Sequence, residues 1–340
     1  LELTAPTVAS ALKDLQELDL VREEGAMDSN GGRKSMGYSC NKDAKYAVGV
    51  NIAKNYVDLA IVNLAMKPIC TKHEKIQVKG EISSYQWLQK FIMDAIHDTQ
   101  IDDERILGVG YALPAIIDES GTRIYGLHEE MDLPRSFYEI VKEWFPYPAV
   151  LCREAVCAGS AVANDLAIEG TVVYLNLSPS VGGAVIKNGE PMNLGINCRK
   201  GEFGHITLVP HGRQCFCGRK GCVNAYCSTD NLTALTGGDL SAFFEHLDGG
   251  IAEYVRIWEE YLDYLALTIH NLMTSFDEKF ILGGDLARYL SPYMDTIRDR
   301  VAKYDHYLKD GSYLGYGALE FDAASIGAAG CFIDKYIANI

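Results

Sequence analysis

The stretch Gly201–Cys222 reads GEFGHITLVPHGRQCFCGRKGC and gathers Cys215, Cys217 and Cys222, with His205 ten residues ahead of the first. Three thiolates and an imidazole are the donor set of a tetrahedral structural zinc site, and the Cys-x-Cys-x4-Cys spacing lets the sulfurs converge. Gly212, Gly218 and Gly221 suit the tight turns such a loop needs. His211 is the rival fourth donor, and small buried hydrophobes that happen to be neighbours are the bland alternative. A zinc held by His205, Cys215, Cys217 and Cys222 would close the loop and fix a strand bearing Glu202 and His205.

The whole chain bounds what surrounds this loop. At 340 residues it has length for two sizeable cores and a small extra module. Hydrophobic residues make up 48% and charged residues 23%, as in ordinary globular proteins. No apolar run is long enough for a membrane span, and a net charge of −15 argues against a surface that coats nucleic acid. The 10 cysteines are scattered rather than framed as in a small secreted domain. These features predict a cytoplasmic protein with reduced thiols and no membrane partner.

Alternating and continuous apolar runs set the elements. Tyr46–Ala53 and Tyr56–Leu64 read as a hairpin, with a third strand near Cys70–Val78. A helix over Ser84–His97 presents Leu88, Phe91, Ile92, Ala95 and Ile96 on one face, and Ile106–Ile117 reads as a buried strand interrupted at Pro114. The order then recurs: strands at Thr171–Leu177, Gly182–Gly189 and Ile206–Pro210, a long helix over Ile251–Ser275, and a strand at Phe280–Gly284. Two successive units of this kind predict two similar α/β domains with a cleft between them, residues 45–155 and 156–340, the last helix packing back on the first.

Residues 1–40 are different. Val8, Ala11, Leu12, Leu15 and Leu18 recur at helical spacing, followed by a polar loop whose tip is GGRK. A helix leading into a β-wing is the end of a winged helix-turn-helix, with Arg33 and Lys34 placed to contact DNA; a helix packed on the first domain is the alternative. The local charge is negative, since Lys13, Arg22, Arg33 and Lys34 are outnumbered by Glu2, Asp14, Glu17, Asp19, Glu23, Glu24 and Asp28. A DNA contact here would therefore be local. The chain begins inside the motif, which points to a truncated amino end.

Taken in order, GGRK, VGVNIA, ALPAI, CREAVCAG, SVGGAVIKNG, GEFGH with CFCGRKGC, and ILGG resemble the ROK family of sugar kinases and sugar-responsive repressors over nearly the whole chain. The resemblance implies a two-domain, actin-like and hexokinase-type (ribonuclease H-like) α/β fold. It also implies contact of Glu202 and His205 with sugar hydroxyls, and it places Arg153, Glu154 and Asn224 at the same interdomain site.

Departures from the family pattern favour its repressors, the xylose-responsive kind among them. Where the kinases have an acid followed by Gly-Gly-Thr-Lys, this chain has Asn51-Ile52-Ala53-Lys54-Asn55. The second phosphate turn keeps Gly182 and Gly183 but has Ser180 and Ala184. Arg153-Glu154 replaces the Asn-Asp that holds the catalytic base, and Asn224 replaces a glutamate. Lengthening the base by a methylene moves it by about 1 Å, enough to cost ~10²-fold. The expectation is a repressor of carbohydrate metabolism, working as a homodimer or higher homo-oligomer on operator DNA with a sugar effector, its kinase activity lost. An ATP-dependent, glucokinase-like sugar kinase is the alternative, and a protein-binding scaffold the third reading.

Overall fold

The computed structural model describes residues 4–26, 36–127, 132–307, 310–317, 319 and 322–340. Helix α1 (Ala5–Glu17) starts at Thr4, whose hydroxyl accepts from the Thr7 backbone N–H, and none of its residues is buried. Strands β1 (Val21–Ala26) and β2 (Met36–Cys40) follow as an antiparallel two-stranded ribbon, Val21 opposite Cys40 and Ala26 opposite Met36. The helix-then-ribbon order is that expected of a wing; the GGRK tip, with Arg33 and Lys34, lies outside the described residues.

The first five-stranded sheet comprises β3 (Tyr46–Ile52), β4 (Val57–Asn63), β5 (Pro68–Glu74), β6 (Ile106–Leu113) and β9 (Ala149–Arg153), in the order β5-β4-β3-β6-β9. Helix α2 (Ile82–Thr99) covers it with the expected face, Leu88, Phe91, Ile92, Ala95 and Ile96 all buried. A short hairpin, β7 (Ala115–Ile117) and β8 (Ile124–Leu127), and helix α3 (Phe137–Trp144) fill the connection to β9. Strand β5 begins earlier than the sequence suggested because its register on β4, Val57 opposite Glu74 and Val62 opposite Pro68, follows the tight preceding turn.

Helix α4 (Glu154–Asp165) leads from β9 into the second sheet: β10 (Thr171–Leu177), β11 (Val181–Lys187), β12 (Glu190–Pro191), β13 (Lys279–Gly283) and β14 (Leu314–Tyr316), ordered β12-β11-β10-β13-β14. In each sheet an antiparallel hairpin is extended by two parallel strands, so the recurrence read in the sequence is a recurrence of topology. Between β12 and β13 lie α5 (Asn224–Cys227), α6 (Asp230–Thr233), α7 (Leu240–Asp248) and the long α8 (Ala252–Phe276). Helices α9 (Ala287–Leu290) and α10 (Met294–Tyr304) precede β14. The segment Ile206–Pro210 is not the expected strand. Its only ladder contact is the bridge from Thr207 to Cys222, because the N–H groups of Leu208 and Val209 both turn to the Gly221 carbonyl and Pro210 has none to give.

The last helix, α11 (Ala323–Ala338), crosses back onto the first sheet and packs along α4. Gly49 and Gly110 sit side by side in register on β3 and β6. A Cβ on Gly49 would lie 1.8 Å from the Ser325 carbonyl oxygen, and one on Gly110 would lie 2.1 Å from that of Ala328. On the helix side, Gly327 would strike the Cys157 carbonyl at 1.9 Å. The helix is seated backbone to backbone on both neighbours, and only missing side chains permit it. Gly110→Val is therefore expected to cost ~3 kcal/mol or more by overpacking, read as a lowered denaturation midpoint with unchanged slope. Gly126→Ala, whose new methyl would meet only Ile116 Cδ1 at 3.7 Å, should stay within about 1 kcal/mol.

Candidate functional site

The cysteine loop forms as its composition predicts. Donor atoms of His205, Cys215, Cys217 and Cys222 all lie within 4.8 Å of one another. Cys217 Sγ and Cys222 Sγ are 3.7 Å apart, the edge of a tetrahedron with metal–sulfur bonds of about 2.3 Å. His205 turns Nδ1 toward Cys215 Sγ at 3.9 Å, and burial lowers its pKa, which favours the neutral imidazole that a metal binds. Gly221 (φ 81°) makes the return turn, and a Cβ there would meet the Val209 carbonyl oxygen at 1.8 Å. His211 stands in a left-handed turn (φ 61°) and is not among the converging donors. The cluster can hold a metal ion. His205 itself belongs to a single 3-10 turn, Phe203–His205, rather than to a strand.

That turn faces a cleft between the two sheets, lined by Arg153, Glu154, Glu202 and His205 together with Asn176 and Phe216. Arg153 ends β9 and is 5% exposed. Its guanidinium donates to Glu202 Oε1 at 2.6 Å, to the Lys200 carbonyl at 2.7 Å and to the Cys198 carbonyl at 3.5 Å. Arg153 thus acts chiefly as the clamp that holds the GEFGH loop against α4. Asn224, expected beside these residues, lies just outside the lining: it is buried, and its Oδ1 accepts the Val181 N–H at 2.7 Å, fixing the turn into β11. Asn51 is fully buried within β3, one residue from its end.

Glu154 opens α4 between this cleft and a second space on its other side. Its Oε1 accepts from Asn176 Nδ2 at 3.2 Å. Burial, then the neighbouring Asp285 and Asp322, push its pKa up to about 8. The sequence alone did not single out those neighbours, showing only that Asn51 stands where the kinases have an acid. Asp58 lies directly opposite Asn51 on the β3–β4 hairpin, Asp285 follows the ILGG glycines, and Asp322 caps α11 through the Ser325 N–H. Burial first, then Asp322, raises Asp58 to about 7 and Asp285 to about 6, and burial raises Asp322 as well. Asn51 Nδ2 reaches Asp322 at 3.4 Å, while Tyr56 donates to Asp285 at 3.1 Å and Lys54 pairs with Asp230 at 3.5 Å. The hairpin tip is thereby tied to the second half of the molecule where a kinase would admit phosphates.

Two sheets of repeated topology, joined by α4 and α11 around a central cleft, define an actin-like, hexokinase-type protein. The chain belongs to the ROK family, whose model matches residues 47–334. It is 24% identical over 353 residues to the xylose repressor of Bacillus spizizenii, covering 98% of this chain and 89% of that one. A crystallised ROK family transcriptional regulator, a homologue of the Escherichia coli Mlc protein, superposes with a TM-score of 0.75 at 16% identity over 98% of this chain and 89% of its own. The ROK hexokinase of Thermus thermophilus superposes at 0.68 with 20% identity, all of its chain matching 87% of this one.

Purified protein is expected to carry one equivalent of metal that Cys217→Ser loses, with a lower melting temperature after chelation; full metal content in the variant would refute the assignment. The carboxyls give a second test. Each buried acid is protonated in the folded state at pH values where the unfolded chain has already released its proton, so its stabilising contribution fades as pH rises from about 4.5 toward 8 for Glu154. Glu154→Gln, which cannot ionise, should gain stability relative to the wild type steadily over that interval. Melting curves at several pH values that keep a constant difference would contradict it.

Proposed function

We propose that this protein is a sugar-responsive transcriptional repressor that has lost kinase activity. The observation that carries the reading is the amino-terminal helix and ribbon, which precede the matched family domain and whose helix contributes nothing to a core. Such a unit suits a winged DNA-binding module, with Arg33 and Lys34 at the wing contacting operator phosphates. The repressor relative aligns over 98% of the chain, which supports the same reading. The metal of the His205, Cys215, Cys217 and Cys222 cluster is taken to be zinc in a structural role, since four protein donors leave no open position. When bound, it would hold His205 and the GEFGH loop at the cleft wall.

The sugar would sit against Glu202, His205 and Glu154, whose carboxyl groups and ring nitrogen can hydrogen-bond hydroxyls, with Arg153 positioning Glu202 and Asn224 supporting the turn beneath. Residues 45–155 and 156–340 would change their mutual angle on binding, with α11 travelling with the first, and so alter the spacing of two DNA-binding modules in a cytoplasmic homodimer. The hairpin tip supports the loss of kinase activity. Tyr56 and Lys54 occupy it, and Ala53 stands where close backbone approach to a phosphate calls for glycine. No helix among the described residues is long and apolar enough to cross a membrane.

Thermal denaturation with a panel of pentoses, hexoses and amino sugars tests the reading. One sugar at ~100 times its Kd should stabilise by about 2.7 kcal/mol, a shift of several degrees that Glu202→Gln abolishes, while millimolar ATP with magnesium shifts nothing. A coupled assay should show no phosphorylation of any of these sugars, even in Glu154→Asp; turnover would restore the kinase alternative.

A further inference from the structure

Away from the zinc loop and the cleft, three more sulfurs converge. Cys152 lies on β9, Cys157 on α4 and Cys331 on α11, and their sulfur atoms all fall within 4.8 Å of one another. They sit where both helices joining the two halves pass the end of the first sheet, beside Ala112, Ala158, Val162 and Ala328. Cys152 Sγ is 2.6 Å from Cys157 Sγ.

That separation decides between two chemistries. Thiolates sharing one ion at about 2.3 Å stand nearly 4 Å apart, as Cys217 and Cys222 do at 3.7 Å. An ion would have to drive Cys152 and Cys157 apart by about 1 Å, whereas a disulfide bond of about 2.05 Å asks them to close by roughly half that. Residues at the end of a strand and in the first turns of the following helix can make such a move with little backbone displacement.

We propose that Cys152 and Cys157 form a reversible disulfide and are a modification site for hydroperoxides. Of the pair, Cys152 is half-buried and Cys157 buried, so the oxidant meets Cys152 before Cys157. The Cys152 sulfur attacks the outer peroxide oxygen as its thiol proton passes to the departing oxygen; the S–O bond forms, the O–O bond breaks, and the other oxygen leaves as an alcohol, or as water from hydrogen peroxide. The Cys157 sulfur then attacks the sulfenic sulfur of Cys152. The S–S bond forms, the S–O bond breaks, and the hydroxyl departs as water with the proton Cys157 gives up. The cysteine pair loses two electrons and the hydroperoxide gains them. A small thiol reverses the bond by exchange. Arg153 and Glu154 lie between the two cysteines, so the bond braces the segment that forms the cleft wall; that consequence rests on the reading of the cleft given above, and the bond itself does not.

The test uses the metal-loaded full chain, treated with about one equivalent of hydrogen peroxide, alkylated and digested with trypsin without reduction. Trypsin cuts after Arg153, so the disulfide would hold together the peptides Glu143–Arg153 and Glu154–Lys187, which separate on reduction. The expected result is that linked pair as the main oxidised product, an intact mass lower by two hydrogens, and full retention of the metal. Cys331→Ser should keep the link and Cys157→Ser should lose it. Alkylation of Cys152 and Cys157 after treatment, overoxidation of Cys152 without a link, or disulfides confined to the metal cluster with release of metal would each overturn the proposal. Because no sugar enters the experiment, its failure is separable from failure of the repressor reading.

Discussion

The buried guanidinium of Arg153 is the point on which the site depends. It ends a strand of the first sheet, yet all three of its recorded bonds go to the segment Cys198–Glu202, which belongs with the second sheet. A charge with 5% exposure is tolerated only when paired and fully hydrogen-bonded, and removing the partner of such a pair is commonly worth 3–5 kcal/mol. The pairing fixes Glu202, and Glu202 precedes the turn that carries His205. The cleft wall, the metal loop and the start of α4 are therefore one mechanical unit.

The acids on the other side of α4 are partnered one by one rather than by a single buried cation: His73 pairs with Asp58 at 2.7 Å, Tyr56 donates to Asp285 and the Ser325 N–H to Asp322. Asp58, Glu154, Asp285 and Asp322 are drawn from β4, α4, the end of β13 and the cap of α11, and burial raises the pKa of each, with acidic neighbours adding to the rise for Asp58, Glu154 and Asp285. Asn51, whose buried Oδ1 has no partner, turns its amide toward the same acids.

Seating α11 on the first sheet makes these arrangements possible. Helix α11 and helix α4 run between the halves, and the contact of Gly327 with the Cys157 backbone brings them together just below the acids. The same pair of helices is where Cys152, Cys157 and Cys331 meet.

Local pattern alone determined a good part of this. Alternation and apolar runs place β3, β4, β6, β10, β11 and β13, and helical spacing gives the buried face of α2, because these features report burial within single elements. The metal donors are legible because a loop of few residues with glycines at its turns must bring its own cysteines together. Partnerships across the fold are another matter. That Ile206–Pro210 would bond to the Gly221 loop rather than join a sheet, that Arg153 would clamp Glu202, and that Asp58 would share a site with Asp285 and Asp322 are decided by which strands neighbour one another. Nothing in the spacing of Asp58 and Asp322 foretells their meeting: 264 residues separate them, and only the return of α11 over Gly49 and Gly110 closes that distance. Hydrophobic periodicity sets which face of an element is buried, but the close backbone contacts that glycine permits set what it is buried against.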